Sequence, residues 1–299
     1  MKKDAPVIAQ RIADQLFHDH QLEPLVSDKF SRQEFEFALA HSATPVWVAD
    51  SNGRFRGHLY GATLDDPLHR RQSWTGPDGY SYESEDVLDK LCQWAYHEWR
   101  EQGSTAHLVW ALAGNGTQDW VDRGYHIASV RGALALVERF DVAWGDGQVL
   151  RRATTNDLMT AVAFDALIDG AQGSPIGSQS PAQREANRGD LVELLEDPDC
   201  HYYLLDIDGT PAAQCITFAM PPLRGNFEHT VYLGSLAVVE EFRRQGIATR
   251  LLHEVMNDAI GEGFGYAEVR WHIDNDAATQ LWSAMGFRPT YVQLRRSLD

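Results

Sequence analysis

Arg243-Arg244-Gln245-Gly246-Ile247-Ala248-Thr249 is the segment of this chain best equipped to hold an anion. An apolar, strand-like run through Leu236, Ala237, Val238 and Val239 ends in this turn, and the turn opens directly into an amphipathic helix. After Ala248 the apolar residues Leu251, Leu252, Val255, Met256, Ala259 and Ile260 recur with the period of one helical face. The first N–H groups of such a helix have no partner within it and point at whatever occupies the turn. The helix dipole adds to them, so phosphate is the natural occupant. Gly246 lets a ligand approach the backbone without a Cβ in the way, and Ala248 keeps the next turn small. An ordinary strand–turn–helix connection has the same outline, so the loop alone leaves both readings open.

The elements that must position this loop lie on both sides of it. Downstream, Gly261 to Gly265 stops the helix, and Tyr266 to Ile273 alternates as a strand with Ala267, Val269, Trp271 and Ile273 on one face. Asn275 and Ala278 lead into a short helix ending Leu281-Trp282-Ser283-Ala284-Met285-Gly286-Phe287, and Arg288 to Arg296 returns as a final strand. Upstream, Val149 to Ala153 is a short strand and Thr154 to Asp157 a helix start; the helix that follows carries Leu158, Val162, Leu167 and Ile168. A Gly/Ser/Pro-rich loop from Gly170 to Pro181 precedes a charged helix, Ala182 to Glu196. Cys200 to Ile207 and Pro211 to Ala219 form a hairpin around Asp208-Gly209, and Thr230 to Val238 is the strand that enters the loop.

Two motifs in this order resemble the GNAT acetyltransferase family. Arg243-x-x-Gly246-x-Ala248 is similar to the family's pyrophosphate loop, Arg/Gln-x-x-Gly-x-Gly/Ala. Asn275-x-x-Ala278-x-x-Leu281 followed by Gly286-Phe287 resembles its Asn-x-x-Ala-x-x-Leu-Tyr-x-x-x-Gly-Phe signature. The resemblance implies an α/β (α+β) fold with a mixed, mostly antiparallel sheet flanked by helices, and acetyl-CoA as cosubstrate. It implies cofactor contacts from Leu236, Ala237 and Val238 to the pantetheine arm, and from Arg243, Arg244, Gln245, Gly246, Ile247, Ala248 and Thr249 to the diphosphate, with Asn275 and Trp282 nearby. Trp282 stands where many members have a Tyr that protonates the departing thiolate. An indole N–H donates a hydrogen bond but no proton near neutral pH. Another acid, an unassisted thiolate, cofactor binding without turnover, or plain core packing of Trp282 are the readings this leaves.

Attack by an amine on a thioester needs a base for the amine proton and a donor for the developing oxyanion. By resemblance the donor is a strand amide near Val238, and the base position falls on Tyr232, a weak base with a phenol pKa near ~10. Glu228 and His229 stand just upstream and are the alternative candidates; His272 lies on the neighbouring strand. The Gly170–Pro181 loop reads either as a wall of the acceptor site or as a solvated connector. The activity implied is N-acyl transfer from acetyl-CoA to a small-molecule amine; the alternative is a coenzyme A-binding regulatory or scaffold protein.

Length and charge bound these readings. The chain has 299 residues, about twice one such domain, so two domains are expected. Its formal net charge of −17 opposes binding to nucleic acid or an anionic membrane and suits a cationic amine. No apolar run is long enough to cross a bilayer, and Met1 to Pro6 lacks the apolar stretch of a signal peptide. Cys92, Cys200 and Cys215 are far apart with no metal-ligand spacing. A cytoplasmic monomer or homodimer without a metal is the expectation.

The chain also carries an internal echo. Trp120-Val-Asp-Arg-Gly124-Tyr125 has the same Trp-x-x-x-Gly-aromatic form as Trp282 to Phe287. Strands are expected at Ala106–Ala113 and Val130–Glu138, a helix from about Glu85 to Arg100, and a hairpin of Pro45–Asp50 with Phe55–Thr63 around Asn52-Gly53. This half has no counterpart of the pyrophosphate loop: Glu83, Glu85 and Asp86 stand at the start of its long helix. Residues 1–145 are therefore expected to form a degenerate copy, and 146–299 the acetyl-CoA-binding one. The break is placed at Gly145-Asp146-Gly147, which also reads as a tight turn inside one domain.

Overall fold

A computed structural model describes residues 3–42, 44–66, 70–114, 116–171, 181–220 and 225–299. The chain divides into two compact units, each drawing on separated segments. The first comprises Met1–Arg131, Pro222–Phe227 and Pro289–Asp299; the second comprises Gly132–Pro221 and Glu228–Arg288.

The first unit begins with α1 (Ala5–Leu22) and α2 (Arg32–His41), which the sequence reading did not anticipate. Ile8, Ile12 and Leu16 make one buried stripe on α1, and Phe35 and Leu39 complete it from α2. The Ser31 hydroxyl caps α2 by accepting from the Glu34 N–H. The strands β1 (Val46–Ser51) and β2 (Arg54–Tyr60) form the expected hairpin, turning at Asn52 (φ 56°) and Gly53 (φ 78°). Its second arm breaks at Gly61, so β3 (Ala62–Asp66) leaves to pair with β4 (Arg70–Thr75). Next, β5 (Tyr80–Tyr82) rejoins β2, and α3 (Glu85–Glu101) follows. After β6 (Ala106–Leu112) and α4 (Gln118–Val121), the strand β7 (His126–Ala135) carries the chain across the Arg131/Gly132 boundary into the second unit.

In the second unit the order is β8 (Gln148–Arg152), α5 (Leu158–Ala171), α6 (Pro181–Glu196), β9 (Cys200–Ile207), β10 (Thr210–Ala219) and β11 (Thr230–Val238). Then come α7 (Ile247–Gly261), β12 (Tyr266–His272) and α8 (Asp276–Ala284). The final strand β13 (Arg288–Ser297) returns to the first unit, where it pairs antiparallel with β6 from Tyr291↔Leu112 to Ser297↔Ala106. Both units thus carry a mixed, mostly antiparallel sheet flanked by helices; β4 with β6 in the first and β11 with β12 in the second are parallel pairs among the described residues.

In the second unit the sheet is covered on both faces. Ala161 and Phe164 of α5 and Leu191 of α6 pack on Tyr202, Leu204 and Ile216. Tyr203, the next residue along β9, points the other way, and its hydroxyl donates to Asp258 of α7 at 3.0 Å. The division at 145/146 does not coincide with these units. Gly145–Gly147 is a turn within the second unit, with the Gln148 N–H donating to the Gly145 carbonyl at 3.1 Å. The chain upstream of the turn belongs there too: Phe140 stacks on His253 at 4.5 Å and exchanges backbone hydrogen bonds of 2.8 and 2.9 Å with the Asn257 amide.

Candidate active site

The site is built on the way β11 leaves β12. Their parallel register covers only Thr230–Leu233 against Tyr266–Val269, although β11 runs on to Val238 and β12 to His272. On its other side β11 stays paired to β10, but the register slips between Cys215 and Thr217, so that Gly234 and Ser235 face the single residue Ile216. That bulge bends β11 away from β12. A wedge opens between the two strands, and the backbone from Gly234 to Val238 edges it. The first unit repeats the device: β4 pairs with β6 only through Gln72–Thr75 against Ala106–Val109, and the chain then turns aside into β5.

At the open end of β11 the chain makes one tight helical turn, Glu240–Phe242, and enters the loop. Arg244 takes a positive φ of 60° and Gly246 one of 73°, so two left-handed residues turn the chain into α7. No side chain caps α7, and the first bond from its leading turn is Arg250 N–H to the Gly246 carbonyl at 3.1 Å. The N–H groups ahead of it belong to the first turn of the helix, which has no partner for them within itself. Ile247, Leu251, Leu252, Val255, Met256 and Ala259 form the buried face that fixes the helix. Beside Gly246 lies the Arg250 guanidinium, 3.2 Å from where a Cβ would stand. Its Nε is buried and has no hydrogen-bond partner among the described residues. A cradle of free amides with an unmatched buried cationic donor fits a phosphate-bearing ligand such as coenzyme A.

The expected site residues divide. Leu236, Ala237 and Val238 are the last residues of β11, and Arg244, Gln245, Gly246, Ile247, Ala248 and Thr249 run from the loop into the first turn of α7. The Arg243 side chain is a brace: its Nε donates back to the Val238 carbonyl at 2.8 Å. Asn275 is the N-cap of α8, its Oδ1 accepting from the Ala278 N–H at 3.0 Å.

Trp282 packs inside the second unit at the end of α8. It sits three residues before the C-cap of α8, 4% exposed, and the Phe287 N–H donates to its carbonyl at 3.0 Å while Gly286 donates to Ser283 at 3.1 Å. This is a Schellman motif closed by an aromatic contact, with the Trp282 and Phe287 rings 5.2 Å apart at 75°. Its twin in the first unit has the same bonds, Tyr125 to Trp120 at 3.2 Å and Gly124 to Val121 at 2.9 Å, and rings 5.2 Å apart at 74°. The repeated motif is therefore a helix stop, which explains its residue types without chemistry.

The base candidates divide as well. Glu228 and His229 are exposed at the far end of β11, where His229 takes a left-handed φ of 57° and its carbonyl accepts from Gly265 at 3.0 Å. Seven residues of strand separate His229 from Leu236, roughly 20 Å. The structure does not bring either to the wedge. Tyr232 is better placed, half-buried two residues before the bulge, its ring 5.0 Å from Phe218. Its register partner Glu268 shares its face, and by strand alternation so does His272, exposed at the end of β12 beyond the last paired residue Val269. Residues 172–180 of the expected acceptor loop lie outside the described residues. Among the described residues no cluster of three or more His, Cys, Asp or Glu could hold a metal, and no helix is long and apolar enough to cross a membrane.

Residues 166–287 match the model of the acetyltransferase (GNAT) family. An N-alpha-acetyltransferase from Sulfurisphaera tokodaii is 27% identical over 114 residues, a match covering 34% of this chain and 65% of that protein, just under two thirds of its length. Among solved structures, a GCN5-related N-acetyltransferase from Sphaerobacter thermophilus aligns over 100% of this chain and 94% of its own, with 18% identity and a TM-score of 0.64. A tandem GNAT protein from the clavulanic acid biosynthesis pathway aligns over 97% of this chain and 95% of its own, with 15% identity and a TM-score of 0.56. At such identities the likeness establishes the fold.

Proposed function

With residues 166–287 forming a GNAT acetyltransferase domain, we propose that the chain is an N-acyltransferase that moves an acetyl group from acetyl-CoA to the amine of a small-molecule acceptor, with its active site in the second unit. The observation that carries this is the wedge between β11 and β12 ending at the amide cradle. An extended amide-containing arm would add to the free edge of β11 as a strand adds to a sheet. The diphosphate beyond it would meet the amides of Arg244 to Thr249 and the Arg250 guanidinium. Bound there, acetyl-CoA supplies the acyl group as a thioester.

The chain's own part is to polarise the acyl carbonyl and take the amine proton. A backbone N–H on the bulged part of β11 serves the first task, because the bulge frees it from pairing with β12. For the second, His272, at the end of β12 nearer the loop than His229 and Glu228, is the side chain of suitable chemistry, since an ordinary imidazole titrates near neutrality. Tyr232, on the same face, shapes the acceptor side with Phe218. With Trp282 committed to the helix stop, no side chain in the family's Tyr position protonates the thiolate. A thiol pKa near ~8.5 lets that group leave unassisted. In the first unit the acidic start of α3 opposes a diphosphate, so we read that unit as a copy without coenzyme A.

The test pairs binding with turnover. Wild-type chain should bind coenzyme A in calorimetry and release thiol from acetyl-CoA with at least one member of an amine panel. Gly246→Glu should abolish both, because a carboxylate would occupy the cradle on a residue held at positive φ. Unchanged coenzyme A affinity in Gly246→Glu would sink the assignment of the loop. Tight binding with no thiol release across the panel would turn the reading to a coenzyme A-binding protein without turnover.

A further inference from the structure

The first unit holds a cavity of about 420 Å³ in the place where the second unit has its wedge. Tyr80, Ser81 and Tyr82 of β5 form one wall and Leu112 of β6 another. The roof is one stripe of α1, with Arg11, Asp14, Gln15, His18 and Asp19 recurring at helical spacing. This stripe lies beside the apolar one that anchors α1, so packing of Ile8, Ile12 and Leu16 is what aims it.

The two ends of the cavity carry opposite charge. At one end the Glu83 carboxylate is approached by three guanidinium groups: Arg11 at 3.0 Å, Arg54 at 3.2 Å and Arg56 at 2.7 Å. The three guanidinium groups outnumber Glu83 and the cavity-lining Asp14 one turn from Arg11, so this end keeps a net positive charge; Arg11 and Arg56 line the cavity. At the other end Asp19 is 3% exposed, with Gln15 donating to it at 2.7 Å and the Tyr291 hydroxyl beside it. The bond accepted from Gln15 leaves the carboxylate further lone-pair capacity. Arg11 and Asp19 are eight residues apart on α1, about 12 Å along the axis. The tyrosine walls are fixed by their own partners, Tyr80 edge-on to Trp120 at 5.0 Å and Tyr82 donating to Asp119.

We propose that this cavity binds a small zwitterion whose charged ends stand several bonds apart, such as a dipeptide or an ω-amino acid. Its carboxylate lies on Arg11 and Arg56 and its ammonium on Asp19. A purely anionic ligand would leave Asp19 unanswered and a purely cationic one would meet the arginines. A volume in the range of small-molecule pockets suits this size class. The site is independent of the coenzyme A cradle, so either assignment can fail alone.

Calorimetric titration of the full chain with glycylglycine, alanylalanine and 5-aminopentanoate tests it. Saturable binding of at least one is expected, with its methyl ester and its N-acetyl derivative each at least tenfold weaker. Arg56→Gln and Asp19→Asn should each weaken it tenfold or more, and Gly246→Glu should leave it unchanged while coenzyme A binding is lost. The proposal is overturned if none of the three binds, if the blocked forms bind equally well, or if Gly246→Glu removes the binding. The comparison of blocked with free ligands uses wild-type protein, so it decides the matter even where a variant does not fold.

Discussion

Arg244 holds its backbone at φ 60° on an exposed loop, a conformation that costs a non-glycine residue on the order of 1 kcal/mol. Arg244→Gly should therefore raise thermal stability by about that amount, while coenzyme A binding weakens through loss of a cation near the diphosphate. Thermal unfolding and calorimetry on one preparation would show both, and a variant less stable than wild type would refute the strain. His272→Gln should lower kcat by tenfold or more with KM for acetyl-CoA little changed, and His229→Gln should change neither; steady-state kinetics separates them. The first unit offers a different residue-scale effect. His58 and His107 are buried, and burial holds both imidazoles down to about 3 from an ordinary 6.5. Ser81 lies 2.8 Å from His58 Nδ1, while Thr75 lies 2.9 Å from His107 Nε2. The unfolded chain takes up a proton on each near pH 6.5 and the folded chain only near 3, so the unfolded state binds more protons between those values. Stability is intact above about pH 6.5 and falls as pH drops toward 3, by about 1.4 kcal/mol per pH unit for each histidine. His107→Gln should flatten that slope in acid titrations followed by circular dichroism.

Among the elements, the helix stops explain the internal repeat best. Trp120 to Tyr125 and Trp282 to Phe287 adopt one capping geometry because glycine at positive φ (81° at Gly124, 86° at Gly286) and an aromatic pair across the cap require those residue types at that spacing. Asn275 starts α8 as Trp282 ends it, so Asn275→Ala should cost about 1 kcal/mol of stability in thermal unfolding. A loss of coenzyme A affinity without loss of stability would instead restore a direct role at the cofactor. The α7 face and the strand β11 were legible from period alone, since apolar burial dictates both. The bulge at Gly234–Ser235 was not, because pairing register depends on β10 and on where β12 stops. Nor were α1 and α2 read from sequence, although Ile8, Ile12 and Leu16 and the Pro at the start of α1 supplied the signal.

For the whole chain, the composition of the two units carries the main consequence. A fragment of residues 146–299 lacks Gly132–Gly145, including Phe140 with its ring on His253 and its backbone on Asn257. It should be less stable than a fragment of 132–288, as denaturant unfolding of the two would show; equal stability would support the break at 145/146. Local chemistry made much legible in the sequence alone: the turn at Arg243–Thr249, the helix that follows it, the N-cap at Asn275 and the repeated Trp-x-x-x-Gly-aromatic helix stop. These are short-range features, set by turn residues, capping and periodicity within about fifteen residues. Only the tertiary structure decided that His229 and Glu228 precede β11 at the end away from the loop, that Trp282 is part of a helix stop, and that the last strand belongs to the first unit. It also placed Arg11 and Asp19 over a cavity. Each depends on which strands pair and where their register ends, and hydrogen bonding between segments distant in sequence leaves no local pattern from which to read it.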